Sequence, residues 1–148
     1  MTTVITSVIV PVAVSVVTTL ITLYVVQPIQ GQRQLIGEIA YATRYYRTAT
    51  SKVRAEWRDP QAARAKAEEA TEALLMLCAR LGASPATFPA RGKYYKLFEN
   101  LRQVVPRENV SNASSELRSW AYWIRMGDSQ AAQRYRLEVI KVLDLPKD

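Results

Sequence analysis

Glu68, Glu69 and Glu72 form the one carboxylate cluster in this chain. Glu68 and Glu72 are four residues apart, so on a helix they share a face, with Arg64 one turn before them. Paired carboxylates can do general acid–base work or bridge two metal ions. A di-metal bundle draws its remaining ligands from Glu-x-x-His motifs, and the sequence has no histidine. The same lack removes the commonest general base and the commonest metal ligand. Ala63, Ala67, Ala70 and Leu74 define the apolar side of this segment, which turns the glutamates toward solvent.

Cys78 is the single cysteine. One thiol builds neither a structural zinc site nor a disulfide framework. Within the apolar run "LLMLC" it reads as a small buried hydrophobe; the rival reading is a reactive thiol, with Arg80 the one nearby group that would lower its pKa. The chain has no G-x-x-x-x-G-K-[ST] loop, no G-x-G-x-x-G and no G-x-S-x-G elbow. We therefore expect no enzyme activity, no catalytic or metal-ligating residues and no cofactor.

The basic residues give the sharper hint. Lys and Arg number 20 against 13 Asp and Glu, a formal net charge of +7. "RGKYYK" sets Tyr94 and Tyr95 among Arg91, Lys93 and Lys96, and Arg102 and Arg107 follow. Basic side chains near a bilayer each contribute about 1 kcal/mol of attraction to anionic lipid, and Tyr suits the head-group layer. These seven residues are candidate contacts for anionic lipid head groups or for a protein partner. Stacking and charge could also serve single-stranded nucleic acid, the less favoured partner here. The plain alternative is the positive-inside bias of any cytoplasmic domain.

What must position these residues is set by the first 32 residues, which carry no charge. From Val4 to Val26 the chain is apolar or bears only Ser and Thr hydroxyls, about 23 residues or roughly 34 Å of helix. A hydrocarbon core of about 30 Å needs roughly 20. A strand rarely exceeds about 10 residues, and no period-2 alternation is present. A cleaved signal would need a positive n-region, a shorter apolar core and a small-residue cleavage site. Residues 1–27 are thus expected to be a transmembrane anchor, with Tyr24 near the head groups. Pro28 and Gly31 mark the exit into a junction over 28–34. Ser7, Pro11, Ser15, Thr18 and Thr22 lie on one stripe. Ser7, Ser15, Thr18 and Thr22 are candidates for close helix packing in lipid; the alternative is that the hydroxyls bond back to their own helix, with Pro11 as a kink.

Orientation follows from charge. Arg33, Arg44 and Arg47 follow the span closely and no Lys or Arg precedes it. The positive-inside rule then puts the N-terminus outside and residues 35–148 in the cytoplasm, as a single-pass protein of the cytoplasmic (plasma) membrane.

Residues 35–148 show four amphipathic helical stripes and no strand pattern. They are Leu35, Ile39, Ala42, Tyr46, Ala49 and Val53; then Ala63, Ala67, Ala70, Leu74, Leu77 and Leu81. Val110, Ala113, Leu117, Trp120 and Ile124 follow, then Ala132, Tyr135, Val139 and Val142. Asp59 and Pro60 should start the second helix, and Gly82 should stop it. Pro106 opens the third, Gly127 ends it, and Asp128 or Ser129 caps the last. The connector from Ala83 to Val105 contains "KYYKLFENL", a candidate short helix. The fold class is all-α: an N-terminal transmembrane helix followed by a small four-helix bundle. Trp120 falls on the core stripe. Tyr41, Tyr45 and Tyr122 fall off theirs and Trp123 at the edge; these either form a partner surface or lie under the connector.

"IGEIAYATRYYRTAT", "VVPRENVSNASSELRSW" and "DSQAAQRYRLEVIKVLDL" resemble the recurring segments of an uncharacterised family of small microbial membrane proteins. The resemblance covers most of residues 33–145 in order. It implies the same layout, a span and then a cytoplasmic helical domain, and carries no activity, cofactor or catalytic residue. Relatives have a small, polar stretch where this chain has Trp120 to Trp123. Two functional expectations follow. One is a membrane-anchored interaction or scaffold module, serving an unknown protein partner or a homo-oligomer. The other is a membrane-perturbing protein, holin-like or effector-like, acting by oligomerisation of its span.

Overall fold

The structure is a computed structural model that describes residues 2–47 and 60–147. The protein is all-helical, with no strand among the described residues. The expected Asp59 cap and the stripe residues Ala49 and Val53 lie outside the described residues.

The chain begins with α1 (Thr2–Ile21), passes through one π-helical segment (Thr22–Val26) and continues as α2 (Gln27–Tyr45). Ile21, Val26 and Gln27 all keep right-handed helical backbone angles, so the path is unbroken. The expected exit at Pro28 and Gly31 is therefore not a break: residues 28–34 are helix. The physical reason lies one turn earlier. Pro28 cannot donate to the Tyr24 carbonyl, and its ring would crowd that oxygen. The Gln27 amide reaches back five residues to the Thr22 carbonyl, and this wider turn makes room for the proline.

From Thr6 to Tyr45 this helix is long and apolar enough to cross a membrane. Its apolar side chains do not serve a protein core: Val8 to Leu23 stay about half exposed, and none of the most apolar stretch is buried. The main core begins lower down the same helix, at Leu35, Ile39 and Ala42.

The remaining helices are α3 (Pro60–Ala83), α4 (Tyr95–Asn100), α5 (Arg107–Met126) and α6 (Ser129–Val142). Tight 3-10 turns at Ser84–Thr87 and Pro89–Gly92 lead from α3 toward α4. α5 packs most extensively, against α3 on one side and α6 on the other, while α2 lies against α3 and touches α6. The core takes the expected stripes: Ala70, Leu74, Leu77 and Leu81 from α3, and Val110, Ala113, Leu117, Trp120 and Ile124 from α5. Trp120 is fully buried; a large apolar side chain so placed contributes about 1.5–3 kcal/mol.

Punctuation follows the sequence at one end. Gly127 takes a left-handed conformation (φ 75°) past α5, and Asp128 caps α6 by accepting the Ala131 amide at 3.0 Å. Gly82 behaves otherwise. It lies inside α3, which runs on to Ala83. A Cβ there would meet Ser114 Oγ at 3.3 Å, so the glycine permits close approach of α3 to α5 rather than stopping the helix.

Candidate functional site

The connector between α3 and α5 closes around the helix just where its apolar run ends. Phe88, Tyr95 and Phe98 form a second small core, and Val25, Ile29 and Val104 pack against it. Phe88 meets Tyr95 edge-on at 4.9 Å between ring centres. Tyr95 and Phe98 are three residues apart on α4, so one face of that short helix turns inward and the other is left outward.

A buried polar knot fixes this clasp. Gln32 Nε2 donates to the Tyr95 hydroxyl at 2.6 Å and to Ser84 Oγ at 3.3 Å. Gln32 Oε1 accepts the Val105 amide at 3.0 Å, and the Tyr95 hydroxyl donates to the Val105 carbonyl at 2.5 Å. One side chain from α2 thus ties down both ends of the connector. Burial pushes the Tyr95 phenol above its ordinary value, which favours the protonated hydroxyl that donates to Val105; the bond from Gln32 acts in the opposite direction.

Tyr95 was one of the seven expected contact residues, and here the expectation is corrected. It is fully buried and faces protein, because the period of α4 places it with Phe98 rather than with Tyr94. Arg91, Lys93, Tyr94, Lys96, Arg102 and Arg107 are exposed. Leu97 and Leu101 are exposed beside them, and with Tyr94 they recur at three and four residues along the outward side. The Arg107 guanidinium donates to the Gly92 carbonyl at 2.7 Å and lies 5.4 Å from the centre of the Tyr95 ring. Arg33, on α2, donates to Gln103 at 3.0 Å. Arg33 and Arg102 thus lie on one surface where the connector meets α2, about two turns beyond Val26.

In the apolar run, Thr22 donates to the Thr18 carbonyl at 2.9 Å and Thr19 to the Ser15 carbonyl at 2.8 Å. Of these two donors only Thr22 belongs to the stripe, and its bond is of the back-bonded kind that the alternative reading expects. Ser7, Ser15 and Thr18 lie on exposed helix surface.

Elsewhere, Glu68, Glu69 and Glu72 are all exposed. Among the described residues no three His, Cys, Asp or Glu side chains stand close enough together to hold a metal ion. Cys78 is buried, with Sγ 3.1 Å from the Ser114 carbonyl. Tyr41 and Tyr45 stack on each other at 5.5 Å and are exposed, as is Tyr122. The connector covers none of them, being engaged at residues 25–32. Trp123 packs against the main core. Tyr41 and Met76 edge an apolar groove of about 560 Å³ between α2 and α3.

Two participants had no forecast role. Gln32 is the hub of the knot. Arg136 is buried in α6 and donates from Nε to the Thr43 carbonyl at 2.6 Å, joining α6 to α2. No family model, no curated protein and no solved structure matches this chain.

Proposed function

We propose that the protein is a single-pass, membrane-anchored helical module that works by position and contact rather than catalysis. The observation that carries this reading is the clasp. Val25 and Ile29, at the end of the apolar run, pack against the connector, so the helical domain is fixed rigidly at the point where the helix would leave a bilayer.

In this reading α1 crosses the cytoplasmic membrane, and α2, α3, α5 and α6 form a four-helix bundle on its inner side. Arg33, Arg44 and Arg47 favour that orientation. The head-group layer adds about 5–7 Å beyond the hydrocarbon on each side, roughly three to five helical residues, which brings the connector to the lipid surface. Lys93, Lys96 and Arg102 then meet anionic head groups, while Tyr94, Leu97 and Leu101 rest at the interface. The likeness to small single-pass microbial membrane proteins belongs to the same reading.

The partner-facing surface is the exposed strip of Tyr41, Tyr45 and Met76, which lies several turns beyond the lipid. Proximity labelling from the cytoplasmic side tests it, with wild type compared with the triple alanine variant at those three positions. The expected result is a reproducible set of labelled proteins that the triple variant loses. An unchanged set, or none at native expression, would overturn the module reading.

A further inference from the structure

α5 carries a second face that the core does not use. Arg107, Ser111, Ser114, Ser115 and Arg118 follow at intervals of four, three, one and three residues, which gathers them on one side of a helix. That side lines a cleft of about 470 Å³, and the turn from Pro85 to Arg91 forms the opposite wall. Three guanidinium groups, Arg91, Arg107 and Arg118, line it together with these three serines, and no carboxylate does.

The backbone of this wall is tightly constrained. Ala90 and Arg91 both take left-handed backbone angles (φ 54°), and Gly92 follows at φ 83°. A Cβ on Gly92 would lie 2.5 Å from the Pro85 carbonyl oxygen and 3.1 Å from Arg107 Nη2, so only glycine fits this turn. Strained backbone of this kind persists where its surroundings impose it. Arg107 is oriented by the Gly92 carbonyl and the Tyr95 ring, and a guanidinium with five N–H donors has others left to offer. No hydrogen bond or ion pair among the described residues holds Arg91 or Arg118. The Glu99 carboxylate is engaged with the Arg107 backbone amide, at the helix start. Ser114 donates to the Cys78 carbonyl at 3.1 Å, which leaves Ser111 and Ser115 as the hydroxyl donors.

A concave site with three forked cations, two free hydroxyls and no counter-charge matches a phosphate group, which guanidinium binds through paired N–H bonds. We propose that the cleft between α5 and the Pro85–Arg91 turn binds a phosphate ester, held by Arg91, Arg107 and Arg118 with Ser111 and Ser115 donating. This rests on the membrane-surface reading above, because the Arg107 end of the cleft adjoins the clasp and so lies within reach of head groups. A lipid head group and a free small molecule present the same ester chemistry, and the two arms of the test tell them apart.

The test uses the full chain in phosphatidylcholine nanodiscs. One arm adds phosphatidic acid to the disc and counts lipids retained by native mass spectrometry. The other adds glycerol 3-phosphate to the solution and measures its binding by calorimetry. The cleft variant is Arg91→Ala with Arg118→Ala, two exposed side chains whose loss leaves the core intact; Arg91→Lys with Arg118→Lys keeps the charge without the fork. Lys93, Lys96 and Arg102 changed together to Ala remove charge outside the cleft. Wild type should bind in at least one arm, which names the source. The alanine pair should weaken that binding at least tenfold, the lysine pair by an intermediate factor, and the triple variant less than threefold. Wild-type affinity in the alanine pair, or no binding in either arm, would overturn the cleft. Equal loss in the triple variant would overturn the cleft while leaving a diffuse basic surface standing. Loss in the triple variant alone would do the same.

Discussion

Gln32 reaches the Tyr95 hydroxyl at 2.6 Å across 63 residues of sequence, and both side chains are buried. The same Gln32 accepts the Val105 amide, so a single amide group adds polar ties at two points of the connector to the apolar packing of Val25 and Ile29. Gln32→Leu keeps the bulk but leaves the Val105 N–H and the Tyr95 hydroxyl short of a partner. A buried donor stranded in this way costs about 1–3 kcal/mol. Chemical denaturation in detergent should show a loss of that size for Gln32→Leu. Protease should cut the variant's connector within residues 84–105 faster than wild type, and an unchanged cutting rate would speak against the knot.

Glu38 and Arg80 tie α2 to α3 in an ion pair that solvent reaches. The hydrogen bond from Arg80 holds the Glu38 carboxyl below its ordinary value. A depressed acid stabilises the fold above its unfolded pKa, and the contribution fades as pH falls through the folded value. Stability measured from pH 7 downward should therefore start to lose this contribution below about pH 4.5 in wild type, and Glu38→Gln should lack that part of the slope. Because the pair is exposed, the difference at pH 7 should be only about 0.2–1 kcal/mol.

Two glycines should respond with opposite signs. At Gly92 the left-handed backbone and the Pro85 carbonyl leave no room, so Gly92→Ala should destabilise by about 2 kcal/mol or more. Gly37 lies within α2 with nothing within 4 Å of the position a Cβ would take. There Gly37→Ala should stabilise by up to about 1 kcal/mol, since alanine is the better helix former. Denaturant midpoints of the two variants, compared with wild type, give both signs in one experiment.

The helical stripes were legible in the sequence because burial repeats with the helix period. Val110, Ala113, Leu117, Trp120 and Ile124 needed only spacing to be placed in the core. Gln32 and Arg136 escaped because a search for apolar periodicity passes over polar residues. Both carried a signal: Gln32 lies three residues before Leu35, and Arg136 lies four after Ala132 and three before Val139, so each is at helical spacing from residues of its stripe. Tyr94 and Tyr95 could not be told apart in "RGKYYK", because six residues of helix give too few turns to fix a face. Pro28 looked like an end because a proline usually is one; the π-helical turn before it depends on backbone geometry that no residue type declares. The cleft face of α5 was hidden for a different reason. Its Arg and Ser residues are ordinary solvent-facing types, and only the facing turn from Pro85 to Arg91 makes them concave.

The central claim is that α1 lies within the bilayer and the connector at its surface. Spin-label depth measurement tests it most directly. Single cysteines are placed at Val14, Leu97 and Met126 in a Cys78→Ser background, and the full chain is reconstituted in vesicles. α5 spans about 30 Å from Arg107 to Met126, so the third site samples the end of the domain farthest from the clasp. Val14 should be accessible to oxygen and shielded from a water-soluble nickel chelate, Leu97 should fall at the head-group boundary, and Met126 should be fully open to the chelate. Free access of the chelate to Val14, or the same access at Leu97 as at Met126, would contradict the account.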